Sequence, residues 1–461
     1  MPLKAILFCS LLLVIFLAVF HPASATNRII MPKELEAILR QNLLKETVAK
    51  EGVNFNDASG YDRAIADGNQ EFLQTLKAQT LTNNIYHLVA DMGLYRLRGD
   101  FKAAANCLQP IENNTPQNII NPQLIEIEEF QAGNYLLNGD IAEWRRRLQT
   151  VKTKYYPPIQ QLPGLEKFSL KYIERVTLKA DSRLIEPPSV TGIKGIQSLP
   201  LFYSSVAPQT AQKQTFFTPH LKVKVNNITQ LFELDTGTYI GILPLHWVHN
   251  PHVQVIGTLN TSQDILGNRI ETIFGIVDEI EIGNAVLKNI PFSFSNETEP
   301  SLGIYVLRQL GRVQISYDQL RFGEGLNYPC QQNIRLATAP DGSTAHLKIQ
   351  IQLNNQPMMA IFDSGSGDYQ NDDLLLQQPV LVIPKEGQLK KAVVNTTAGS
   401  HSMRIYQDIN NLKIENIELG SVKVIHTQMS KNQAILMVNI LKKTSLYLDF
   451  IEGKSCLIKR D

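Results

Sequence analysis

Leu231-Phe232-Glu233-Leu234-Asp235-Thr236-Gly237-Thr238 carries an apolar run into a carboxylate, and the carboxylate into a tight Gly turn. An isolated buried carboxylate is unfavourable unless something hydrogen-bonds it or shares its charge. A second copy of the element lies 128 residues on (363 − 235), as Met359-Ala360-Ile361-Phe362-Asp363-Ser364-Gly365-Ser366. The match extends upstream. Asn226-Asn227 stands nine and eight residues before Asp235, and Asn354-Asn355 stands at the same distances before Asp363.

Two carboxylates at a shared site cannot both ionise easily. One pKa is expected to fall and the other to rise, so that the pair holds one proton over a wide pH range. An acid and a base side by side can activate a water and protonate a leaving amine. The hydroxyls of Thr236 and Ser364 are expected to hydrogen-bond near the carboxylates. Gly237 and Gly365 permit a backbone approach that a Cβ would block. One Asp-Thr-Gly or Asp-Ser-Gly is ordinary turn chemistry; two copies in matched surroundings carry the reading.

At these residues the chain resembles the aspartic proteases of the pepsin and retropepsin clan, over roughly residues 197 to 461. The resemblance implies two all-β retropepsin-like (acid protease) barrel lobes, 197–328 and 335–461, packed around a cleft. Each lobe supplies one catalytic residue, Asp235 or Asp363. Thr236, Gly237, Thr238, Ser364, Gly365 and Ser366 support them. It implies substrate-binding flaps at Leu266-Gly267, within Asp264 to Arg269, and at Ala398-Gly399. The implied activity is peptide-bond hydrolysis without a covalent intermediate, a metal or another cofactor. Two departures stand out. Tyr305 occupies a place where Asp or Asn is usual, and Met437 stands where Gly is expected, which should hold that backbone away from the catalytic turn.

Residues 1–25 read as a secretory signal. Lys4 precedes an uncharged 16-residue run, Ala5 to Phe20, and Ala23-Ser24-Ala25 is a small-x-small cleavage site. An exported chain, periplasmic or secreted, beginning at Thr26 is expected, with no membrane attachment after cleavage. Asn-x-Ser/Thr sites at Asn113, Asn227, Asn260, Asn296 and Asn395 would matter only in a pathway that glycosylates.

Residues 26–190 read as a helical-hairpin domain. Leu35, Ile38, Leu39, Leu43 and Leu44 recur at helical spacing. Gly99-Asp100 and Gly139-Asp140, 40 residues apart (139 − 99), each read as a helix stop followed by a new start. This is similar to a tetratricopeptide-like array, although the period exceeds that family's usual length of about 34. Such a region would recruit a protein partner or substrate, or shield the cleft like a pro-segment. Pro187-Pro188, Gly192 and Gly195 mark the boundary that follows.

Composition argues against other classes. Without Lys4 the chain holds 43 basic residues (44 − 1) against 43 acidic, so nothing points to nucleic acid or an anionic membrane. No HExxH, GxSxG, Walker or CxxC motif occurs. Cys107, Cys330 and Cys456 are too sparse for a disulfide framework. A Cys330–Cys456 pair and three buried thiols are equally open readings. The alternative function is a protease-fold protein with weak or no catalysis that holds a peptide or an assembly partner.

Overall fold

The computed structural model describes residues 28–29, 60–82, 84–114, 119–120, 122–161, 173, 176–179, 185–206, 216–263, 269–296, 299–330, 334–367, 372–379, 389–396, 399–429 and 433–460. The expected signal and the periodic segment Leu35 to Leu44 lie outside them. Among the described residues no helix is long and apolar enough to cross a membrane. The chain is mostly β, with helices concentrated towards its N-terminal side.

The helices Ile85–Leu97 and Pro122–Asn138 each end at a Gly-Asp turn. Gly99 and Gly139 take left-handed backbone, φ 77° and 85°. Asp100 and Asp140 then cap the next helices, accepting 3.0 Å bonds from the backbone N–H of Ala103 and Glu143.

Two hairpins carry the repeated element. Phe216–Val225 pairs with Ile228–Leu234, and Ala345–Leu353 pairs with Gln356–Asp363. Both Asn-Asn turns hold both residues at positive φ: 47° and 70° for Asn226 and Asn227, 48° and 64° for Asn354 and Asn355. That conformation suits the twist of a two-residue hairpin, and Asn tolerates it. Each second strand also takes a parallel partner: Ser301–Leu302 beside Glu233 and Leu234, and Gln433–Met437 beside Ala360 to Asp363. The parallel strand leads into the helix Ile304–Gln309 in the first half and the 3-10 helix Val438–Lys442 in the second.

Three main sheets result, of ten, eight and five strands among the described residues. The five-stranded sheet joins the halves, because Arg312–Ile315 pairs antiparallel with Thr444–Asp449. Thr444–Asp449 also pairs antiparallel with Lys454–Lys459. Residues placed with the helices supply strands as well: Val176–Leu178 pairs with Val253–Gln263, and Ser189–Thr191 with Ala285–Ser295. Cys330 and Cys456 form a disulfide with Cα atoms 5.7 Å apart, which settles the open alternatives, while Cys107 is a free thiol.

The helices share one buried core with the strands. Trp144 meets Phe274 edge-on with ring centroids 5.4 Å apart, and Phe101 meets Tyr239 at 6.0 Å. Fully buried Arg96 donates to Asn134 Oδ1, the Phe130 carbonyl, Thr338 Oγ1 and the carbonyls of Ala339 and Pro340.

Candidate active site

Asp235 follows the strand Ile228–Leu234 and Asp363 ends the strand Gln356–Asp363, and successive residues of a strand point to opposite faces. Leu234 and Phe362 are fully buried, so the Asp side chains after them point to the opposite face. Asp235 is anchored by its own N–H donating to the Leu302 carbonyl at 3.0 Å.

The turns interlock. Thr236 N–H donates to Ser364 Oγ at 3.0 Å, and Ser364 N–H donates to Thr236 Oγ1 at 2.9 Å. The hydroxyls pass the chain on: Thr236 Oγ1 donates to the Phe362 carbonyl at 3.2 Å, and Ser364 Oγ donates to the Leu234 carbonyl at 2.5 Å. Thr236 and Ser364 are both fully buried, so these four bonds are made away from water.

This grip brings the carboxyls together. A Cβ on Gly237 would lie 2.5 Å from the Asp363 carboxyl, and one on Gly365 would lie 2.5 Å from Asp235 Oδ1. Each glycine is therefore pressed against the opposite aspartate, and a side chain there would displace it. Gly237 N–H donates to Asp235 Oδ1 at 2.8 Å, and Gly365 N–H to Asp363 Oδ1 at 2.9 Å. The N–H groups of Thr238 and Ser366 also bond their respective carboxyls. The Asp carboxyls share a hydrogen bond.

Burial pushes the Asp235 carboxyl up, against the N–H bonds that favour its ionised form. Asp363 is pushed well above the usual carboxylate range, first by burial and then by the charge of Asp235. The expected fall of one pKa does not occur, because loss of water outweighs the N–H bonds at both residues. The pair still holds a proton between its members.

The expected supporting residues all meet at this point. Leu266, Gly267 and Ala398 lie outside the described residues. Their flanking strands form antiparallel hairpins that pair Gln263 with Arg269 and Thr396 with Gly399. Gly399 lies at that second hairpin end, outside the hydrogen-bonded cluster of the turns.

The Met437 departure leaves the backbone in register. Val438 N–H donates to the Ser366 carbonyl at 2.9 Å, matching Ile304 N–H to the Thr238 carbonyl at 3.0 Å. The expected displacement is therefore absent. Asn439 takes the place matched by Tyr305, and its Nδ2 donates to the Asp372 carbonyl at 3.0 Å.

No family model matches the chain, and neither does any curated protein. Among solved structures it is similar to basic 7S globulin from soybean, at 10% identity and TM-score 0.37, over 58% of this chain and 95% of that one. It is also similar to an aspartic proteinase from Irpex lacteus, at 10% identity and TM-score 0.36, over 58% of this chain and 98% of that one.

Three neighbours of the dyad were not singled out by sequence. Glu233 sits two residues before Asp235 on the same strand face, inside what reads as an apolar run. Its i, i+2 spacing was the available signal. His346 hydrogen-bonds the Gly237 backbone from the other half, and burial pushes its imidazole down to about 4. Tyr239 OH donates to the Leu137 carbonyl and so ties the first turn to the helices. Nothing in the local sequence announces those two contacts. Among the described residues no group of three or more His, Cys, Asp or Glu could hold a metal ion.

Proposed function

We propose that this chain is an exported, single-chain aspartic endopeptidase. The observation that carries the proposal is the reciprocal seating of Gly237 on Asp363 and Gly365 on Asp235. A buried carboxyl pair that shares a proton is suited to one task above others. A water between them is activated by the ionised member as it attacks a peptide carbonyl. The protonated member polarises that carbonyl and then helps protonate the departing amine. An extended peptide would lie across the cleft, bonded to the flap strands. The Cys330–Cys456 disulfide supports export, since such bonds persist in oxidising compartments.

The test is cleavage of an unbiased peptide library at about pH 4 and about pH 6 by the chain from Thr26 onward, a range in which carboxylate dyads work. Wild type, Asp235→Asn and Asp363→Asn run side by side. Cleavage by wild type, with losses of about 10²-fold or more in each variant, is expected. Full activity in either variant would sink the proposal. The binding-protein reading drew on Met437, whose backbone stays in register, and it becomes the better account only if folded wild type cleaves nothing.

A further inference from the structure

We infer that Glu233 makes the subsite beside the dyad selective for a basic peptide side chain, Lys or Arg, an inference that rests on the peptidase reading above. The strand Ile228–Leu234 buries Phe232 and Leu234 completely, whereas Leu231 on the other face is 43% exposed. Glu233 lies between Leu231 and Asp235 on that face and is half-buried, so a peptide side chain docked at the dyad from this side would lie next to it.

The second half gives the comparison. His220 stands opposite Glu233 across its hairpin, and Lys348 stands opposite Ile361 in the matched register. The counterpart of Glu233 is thus Ile361, which is apolar and buried. The dyad is flanked by a carboxyl on one side and a hydrocarbon on the other.

The groups facing Glu233 leave it short of positive charge. Asp235 follows on its own strand, Asp363 comes from the opposite turn, and Glu299 comes from the segment before Ser301–Leu302. From the paired strand, the Thr218 hydroxyl hydrogen-bonds it. His220 is already engaged, with Nε2 2.5 Å from Glu299 Oε1 and Nδ1 2.9 Å from the Thr218 carbonyl. Burial, then the charge of Asp235, holds the Glu233 carboxyl well above the usual range. An arriving ammonium or guanidinium would offset those neighbours. Glu233 would release its proton to solvent and pair with the cation, so the preference for a basic residue grows as pH rises.

The experiment uses the full mature chain and a peptide it cleaves, with Lys or norleucine placed at each residue flanking the scissile bond. The ratio of kcat/KM between the Lys and norleucine peptides is read at about pH 4 and about pH 6. Wild type should favour Lys about tenfold or more at one flanking position at the higher pH, and less at the lower. Glu233→Gln should remove that pH dependence. Glu233→Ile should turn the ratio towards norleucine. Ratios are taken within each variant, so a change in overall rate does not enter. A wild-type ratio near one at both pH values, or a Glu233→Gln ratio equal to wild type, overturns the inference and leaves the peptidase reading standing. If folded wild type cleaves neither peptide, both fall.

Discussion

At the scale of single residues, the two aspartates are enclosed at a cost in stability. Burial raises the Asp363 pKa above its unfolded value of 3.8. The folded chain therefore holds that proton to a higher pH than the unfolded chain does. The stability this adds is present at low pH and lost as pH rises through the folded pKa. Relative to wild type, Asp363→Asn should gain more Tm at about pH 7 than at about pH 3, because the neutral amide loses nothing as pH rises. Differential scanning calorimetry of both proteins at the two pH values checks this. His346 works in the opposite direction. Its folded pKa of about 4 lies below the unfolded 6.5. Between those values the unfolded chain binds a proton that the folded chain refuses, so stability falls as pH drops from 6.5 and the loss is complete below about 4. His346→Gln should resist acid better, by up to about 3 kcal/mol at low pH, read from urea midpoints at pH 7 and about pH 4. An equal acid sensitivity in variant and wild type would contradict it.

At the scale of elements, the contacts between helices and strands are specific. Arg96 reaches from the helix Ile85–Leu97 to the Thr338, Ala339 and Pro340 end of a strand in the second half. Arg96→Leu would leave buried carbonyls without donors, at about 3 kcal/mol or more. Arg96→Lys should not rescue it, because an ammonium cannot serve the same planar spread of acceptors. Denaturant titration of the three proteins decides. At the next turn, a Cβ on Gly139 would lie 1.9 Å from the Tyr305 hydroxyl. Gly139→Ala should destabilise strongly. Tyr305→Phe in the same chain should recover part of the loss but not the cost of the left-handed backbone, about 1 kcal/mol.

At the scale of the whole molecule, the helices bear on the β halves through a shared core. A detachable shield over the cleft would leave that core intact when removed. Deleting residues 26–190 would instead strip Trp144 from Phe274, Phe101 from Tyr239, and the strands Val176–Leu178 and Ser189–Thr191 from their sheet. The truncated chain should fail to fold, seen as lost near-UV dichroism or insolubility. A folded truncation with raised activity would restore the pro-segment role. The Cys330–Cys456 bond spans 126 residues. Opening a loop of that size should cost on the order of 4 kcal/mol, measured as a lower urea midpoint for the Cys456→Ser variant.

Much of the site was legible along the chain because its signals are local. The turn chemistry of Asp-Thr-Gly and Asp-Ser-Gly, the Asn-Asn hairpins and the Gly-Asp helix stops depend on residues within a few positions of each other. Their repetition at a spacing of 128 marked the two halves and the paired aspartates. The rest depended on contacts between distant segments. Whether Cys330 meets Cys456, whether Met437 displaces its neighbour, and which strands share a sheet are set by strand register, which a linear pattern does not contain. The direction of the dyad's pKa values was decided by the tertiary structure for the same reason. Charge repulsion can be anticipated from two aspartates, but the loss of water that raises both pKa values exists only once the interlocked turns enclose them.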